Sequence, residues 1–114
     1  MGMAERLFDP EILKKIAGDD VDFYHDVLQS YKVQASELVS RLWDRVHSGE
    51  TEEVLQDAHK LKGSSLSVGA VRAGEVAEQI EFAARQQDFS AVKALILDAK
   101  AITEETIEEI EAVA

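Results

Sequence analysis

Apolar residues recur at three- and four-residue steps along most of the chain, and this helical period divides it into elements. The opening stretch, Met1 to Phe8, carries no clear period and receives no role. Asp9-Pro10-Glu11 then reads as an N-cap, a first-turn proline and a first-turn acid, and Gly18 closes the run Ile12, Leu13, Ile16. A helix over 10–17 is too short to be stable alone, so its apolar side chains are expected to lid one end of a larger assembly. Asp19-Asp20 caps a long second helix, 20–47, striped by Tyr24, Val27, Leu28, Tyr31, Ala35, Leu38, Leu42 and Val46. Ser48-Gly49 breaks it. Thr51-Glu52-Glu53 opens a third helix, 51–68, with a cap and two acids that suit the positive end of the helix dipole. Gly69 ends that helix, since glycine adopts the left-handed conformation a C-terminus favours.

A fourth helix, 70–87, carries Ala70, Ala73, Val76, Ala77, Ile80 and Ala84, small enough for close helix packing. Asp88 caps a fifth, 89–113, in which Val92, Leu95, Ile96, Ala99, Ile102, Thr106, Ile110 and Val113 keep a nearly heptad spacing. The pairs Glu104-Glu105 and Glu108-Glu109 lie off that stripe and read as a solvated face. Trp43, Phe23 and Tyr31 belong to the core or its rim, and His25 and His47 to the surface or a cap. Strand patterns, internal repeats and long linkers are not evident. Short connections between long amphipathic helices predict antiparallel neighbours. The expected fold is therefore all-α: an up-down-up-down antiparallel four-helix bundle with a short additional N-terminal helix.

Composition narrows the functions available. With 114 residues the chain is expected to form one domain with a modest core, too small to hold a nucleotide-binding kinase module as well. It has no cysteine, hence no disulfide, thiolate metal site or thiol nucleophile. A net charge of -11 opposes attraction to a phosphate backbone, so nucleic acid is not an expected partner. Membrane insertion is not expected either, for no apolar run approaches the ~20 residues a spanning helix needs, and the N-terminus lacks a signal-peptide layout. The three histidines are too dispersed for a helical metal pair. A soluble, cytoplasmic protein without a cofactor of its own fits these features.

The third helix concentrates the chemistry. A 100° advance per residue places Val54, Ala58, Leu61, Ser65 and Val68 on one side, which should face the core. His59, Lys62, Gly63 and Leu66 share the opposite, solvent-facing side. A helix glycine costs about 1 kcal/mol relative to alanine, so Gly63 needs a reason other than helix stability, and close approach by another molecule supplies one. Neutral imidazole is nucleophilic near neutral pH, which fits His59 to carry a transferable group.

His59, Lys62-Gly63 and Gly69-Ala70 resemble, nearly position for position, the signature of the histidine-containing phosphotransfer domain. The resemblance implies a four-helix bundle in which His59 accepts a phosphoryl group from a receiver-domain aspartate and passes it to another receiver. It further implies that Nδ1 of His59 is held by an acceptor on the fourth helix. Glu81 occupies the position where relatives place Gln or Glu, with Glu78 one turn earlier as the alternative. Lys62 is expected to steady developing phosphoryl charge, and Lys60 and Arg72 to add positive potential. Gly63, Leu66, Leu55 and Lys60 are expected to meet the partner, the two leucines as an exposed apolar patch. Ser64 and Ser65 read as packing residues.

Mg²⁺ is expected to come with the receiver, leaving this chain a monomeric carrier without kinase activity of its own. Its partners would be response-regulator receivers or a hybrid histidine kinase. Two other readings stay open at this point. One is a bundle that docks a receiver or kinase without being phosphorylated. The other is the phosphoacceptor domain of a larger chemotaxis-type kinase. A dimerising kinase helix pair fits less well, because such helices carry an acid directly after the histidine and Lys60 stands there.

Overall fold

In the computed structural model, residues 6–113 are described, and they form five α-helices and no strand. These are α1 (Pro10–Ala17), α2 (Val21–His47), α3 (Thr51–Val68), α4 (Val71–Arg85) and α5 (Phe89–Val113). Most of the expected stop and start signals act where the sequence places them. The Asp9 carboxylate accepts from the backbone N–H of Glu11 at 3.1 Å, and Asp20 accepts from that of Phe23 at 3.0 Å. Asp88 accepts from the Ala91 N–H at 3.2 Å.

Thr51 does not cap α3: it is the first helical residue, and Glu50 precedes it with no side-chain capping bond. The fourth helix stops at Arg85 rather than 87, because Gln87 takes a left-handed φ of 58° that cannot continue a helix. Val113 is exposed, so the apolar stripe of α5 ends at Ile110.

The four long helices close a ring. α2 packs against α3 and α5, and α4 packs against the same two, enclosing Leu28, Leu38, Leu42, Leu61, Ile80, Ile96 and Ile110. Ala73, Gly74, Ala77 and Ala84 of α4 are all buried, which lets α3 approach closely. α1 rests on α2 and α3 alone. Tyr31 joins the core, whereas Trp43 and Phe23, expected in the core or at its rim, are exposed.

Phe8 corrects the sequence reading. Met1 to Glu5 lie outside the described residues, but Phe8 is 2% exposed and belongs to the core, and its N–H donates to Glu109 Oε1 at 3.2 Å. A lone anchor before the first helix has no period to reveal it.

Gly69 does more than end α3. With φ at 95°, its carbonyl accepts the Asp9 N–H at 2.7 Å, joining the start of α1 to the end of α3. A Cβ at this position would run into the Asp9 carbonyl. The glycine of the Gly69-Ala70 pair is thus needed twice over, for its left-handed backbone and for this close approach.

Several polar groups sit inside the bundle. Asp57, 2% exposed, accepts from Arg41 Nη2 at 2.5 Å and lies 3.5 Å from Arg45 Nη1, tying α3 to α2. Its hydrogen bond raises the Arg41 guanidinium above its ordinary pKa. Tyr31 Oη and Ser65 Oγ are 2.7 Å apart on the same interface, and burial pushes the Tyr31 phenol up to about 12 against the opposing effect of that bond. The buried Thr103 hydroxyl has no hydrogen-bond partner.

Candidate functional site

His59 stands on the outward face of α3 because Ala58 and Leu61, on the other side of the helical wheel, are fully buried against the core. Its side chain is 73% exposed. Across the α3–α4 contact, Nδ1 lies 3.3 Å from Oε2 of Glu81. A carboxylate only accepts, so Nδ1 is the donor and the ring's lone pair resides on Nε2. Exposure of the ring and anchoring of its inner nitrogen together leave a nucleophilic atom open to a partner.

Glu81 is itself 6% exposed, unusual for an acid on a helix, and it is surrounded by cations. Arg85 Nη2 lies 3.0 Å from Oε2, and Lys62 Nζ lies 3.9 Å from Oε1. Lys62 also reaches Glu78 Oε2 at 3.4 Å. The two candidate acids therefore differ: Glu81 meets both the histidine and the lysine, whereas Glu78 meets the lysine. Buried position and paired cations fix the Glu81 carboxyl in place, so the imidazole has one preferred orientation.

Gly63 lies between His59 and Leu66 on the exposed face, and a Cβ there would meet nothing within 4 Å. Packing within the chain does not require this glycine. Leu66 is 44% exposed, a large apolar side chain on the histidine's face. Leu55 is less open than expected, being partly buried against the core. It precedes His59 by four residues, where the face turns toward the bundle. Lys60 is exposed beside His59, whereas Arg72 pairs with Glu75 at 3.3 Å along α4.

The serines behave as packing residues. Ser64 Oγ donates back to the Lys60 carbonyl at 3.0 Å, and Ser65 is consumed by Tyr31. His47 caps locally, its Nδ1 being 2.8 Å from the Trp43 carbonyl, and His25 lies against Tyr24. Sequence reasoning missed Arg85, although its i,i+4 spacing from Glu81 signals an ion pair. It also missed Gly74, which sits under Leu66 and has no sequence signal beyond being a glycine within a helix.

Among the described residues, no helix is long and apolar enough to cross a membrane. The Hpt domain family matches residues 26–113, a span that holds His59, Lys62, Gly63 and Glu81. The crystal structure of histidine-containing phosphotransfer protein B from Pseudomonas aeruginosa PAO1 is similar, with a TM-score of 0.88 at 20% identity. That likeness covers 96% of this chain and 95% of the other. No curated protein sequence matches significantly. A resemblance at such low identity speaks for the fold, while the family match covers most of α2 and all of α3 to α5. The chain belongs to the Hpt domain family, the histidine phosphotransfer modules of phosphorelays.

Proposed function

We propose that His59 is the phosphoacceptor of this chain, taking a phosphoryl group from the aspartyl phosphate of one receiver and yielding it to the aspartate of another. The observation that carries this reading is an exposed imidazole whose Nδ1 is held by a buried carboxylate, next to a helix glycine the chain's own packing does not need. Nε2 attacks phosphorus in line with the acyl-phosphate oxygen. The N–P bond forms as the P–O bond breaks, and the donor aspartate leaves as a carboxylate. Nδ1 keeps its proton, so the ring gains positive charge, which Glu81 offsets. Lys62 places an ammonium beside the incoming phosphoryl oxygens. Transfer onward reverses these steps with a second receiver aspartate as nucleophile.

The receiver would contribute the aspartate and a Mg²⁺ that offsets phosphoryl charge, leaving this chain a carrier that does not use ATP by itself. Leu66, the half-buried Leu55, Lys60 and Gly63 form the partner-facing surface. The contacts Tyr31–Ser65 and Arg41–Asp57, and likewise His59–Glu81 and Leu66–Gly74, run in opposite numerical directions along their helices. They support an antiparallel course for α2, α3 and α4, the first three legs of an up-down-up-down bundle with α1 appended. A single monomeric domain acting in the cytoplasm fits the closed core and acidic surface.

The test is transfer from a phosphorylated receiver to the wild-type chain and to His59→Gln, followed by acid and alkali treatment of the label. Acid-labile, alkali-stable label on the wild type alone is expected. Absence of label from a folded chain that binds the receiver would favour docking without phosphorylation.

A further inference from the structure

Gly74 is buried on α4 and lies against Leu66 of α3. A Cβ built on it would lie 2.5 Å from Cδ2 and 2.8 Å from Cγ of Leu66, distances that real side chains do not tolerate. The Leu66 backbone nitrogen, at 3.7 Å, would be in ordinary contact. Leucine at 66 thus lies down in the space an α4 side chain would take. Even so it keeps 44% of its surface exposed, two helical turns beyond His59 on the same face. The intervening Gly63 is open on its outer side.

Glycine in mid-helix is unfavourable relative to alanine, so this position sacrifices helix propensity for space. The three atoms nearest to that space all belong to Leu66. From this geometry we infer that Gly74 is a positioning residue for receiver docking: it seats Leu66 low against α4 and thereby sets the height of the apolar surface beside His59. The inference rests on His59 being the phosphoacceptor, and it adds a residue on another helix that acts through Leu66 without touching the reacting atoms.

A methyl group at 74 would clash with the far end of a flexible side chain, which can rotate away. Leu66 would then stand up from the surface and hold a receiver off the histidine. The expected result for Gly74→Ala is normal helix content and cooperative unfolding, with a KM for a phosphorylated receiver raised about tenfold, comparable to losing half of a leucine contact. The rate at saturating receiver should stay within about twofold, since His59, Lys62 and Glu81 are untouched.

The probe is a receiver domain phosphorylated with acetyl phosphate and selected because it transfers to the wild-type chain. Direct labelling of His59 by phosphoramidate, which needs no docking, serves as the second readout. Gly74→Ala should label like wild type with phosphoramidate and differ only in receiver KM. Leu66→Ala removes the clashing atoms, so Gly74→Ala added to Leu66→Ala should change KM no further. An unchanged KM in Gly74→Ala, or a further loss in the double variant, would overturn the inference. If Gly74→Ala fails to fold, the double variant against Leu66→Ala decides the matter by the same comparison. Failure of phosphoramidate to label wild-type His59 would instead strike at the phosphoacceptor reading.

Discussion

Nδ1 of His59 lies 3.3 Å from Oε2 of Glu81, an oxygen that Arg85 also holds at 3.0 Å. The carboxylate is fixed from one side by its own helix and meets the imidazole from the other. Histidine orientation is thus inherited from α4, although His59 itself stands on α3.

Replacing Glu81 should therefore slow chemistry more than it weakens docking. Glu81→Ala is expected to lower the single-turnover rate from a saturating phosphorylated receiver by about tenfold to a hundredfold, in the range seen when an orienting partner of a functional histidine is lost. Glu81→Gln should be milder, since its amide oxygen still accepts from Nδ1 but lacks the charge that offsets the phosphorylated ring. Equal rates for Glu81→Ala and wild type would remove Glu81 from the mechanism.

Asp57 is held by Arg41 and Arg45 within the α2–α3 interface, away from the histidine face. Asp57→Ala should cost about 2 kcal/mol in urea unfolding, less than a fully buried pair because both arginines can turn to water. Transfer kinetics should stay within about twofold. A loss of transfer without loss of stability would mean that Asp57 serves the site and not only the scaffold.

Tyr31 links stability to alkaline pH. Its phenol is neutral in the folded state up to about 12, whereas an exposed tyrosine ionises near 10. Between those values the unfolded chain binds fewer protons, so stability is intact below pH 10 and falls as pH rises toward 12, by about 2 kcal/mol in total. Tyr31→Phe lacks this dependence while losing the Ser65 bond at every pH. Its stability relative to wild type should therefore be level from pH 9 to about 10 and improve from there to 11.5. A constant difference across that range would contradict the assignment.

The Thr103 hydroxyl is buried and unpartnered. Valine has nearly the same shape and no polar atom to desolvate, so Thr103→Val should stabilise the chain by about 1 kcal/mol and raise its melting temperature by several degrees. A destabilised variant would show that the hydroxyl finds a partner in solution.

Much of the fold was legible because its signals are local. Asp9-Pro10, Asp20, Gly69 and Asp88 act within one turn of themselves, and their effects survive whatever the bundle does. The same holds for the face carrying His59, Lys62, Gly63 and Leu66, since helical spacing sets it without reference to other elements. Failures fall where a local rule met a tertiary contact or had none to follow. Phe8 lies outside any period, and Thr51 looked like a cap but entered the helix.

Residue spacing alone determined that five helices form, where most of them stop, and that a histidine with a lysine and a glycine shares one open face. Tertiary structure decided which acid meets that histidine, which arginines meet Asp57, and that Gly74 lies beneath Leu66. The physical reason is rotational phase. A helix's own sequence sets its faces, but how far it turns against a neighbour depends on packing between side chains distant in sequence. Glu78 and Glu81 are one turn apart on α4, and only the seating of α4 on α3 decides that Glu81 meets His59 while Glu78, of His59 and Lys62, reaches the lysine alone.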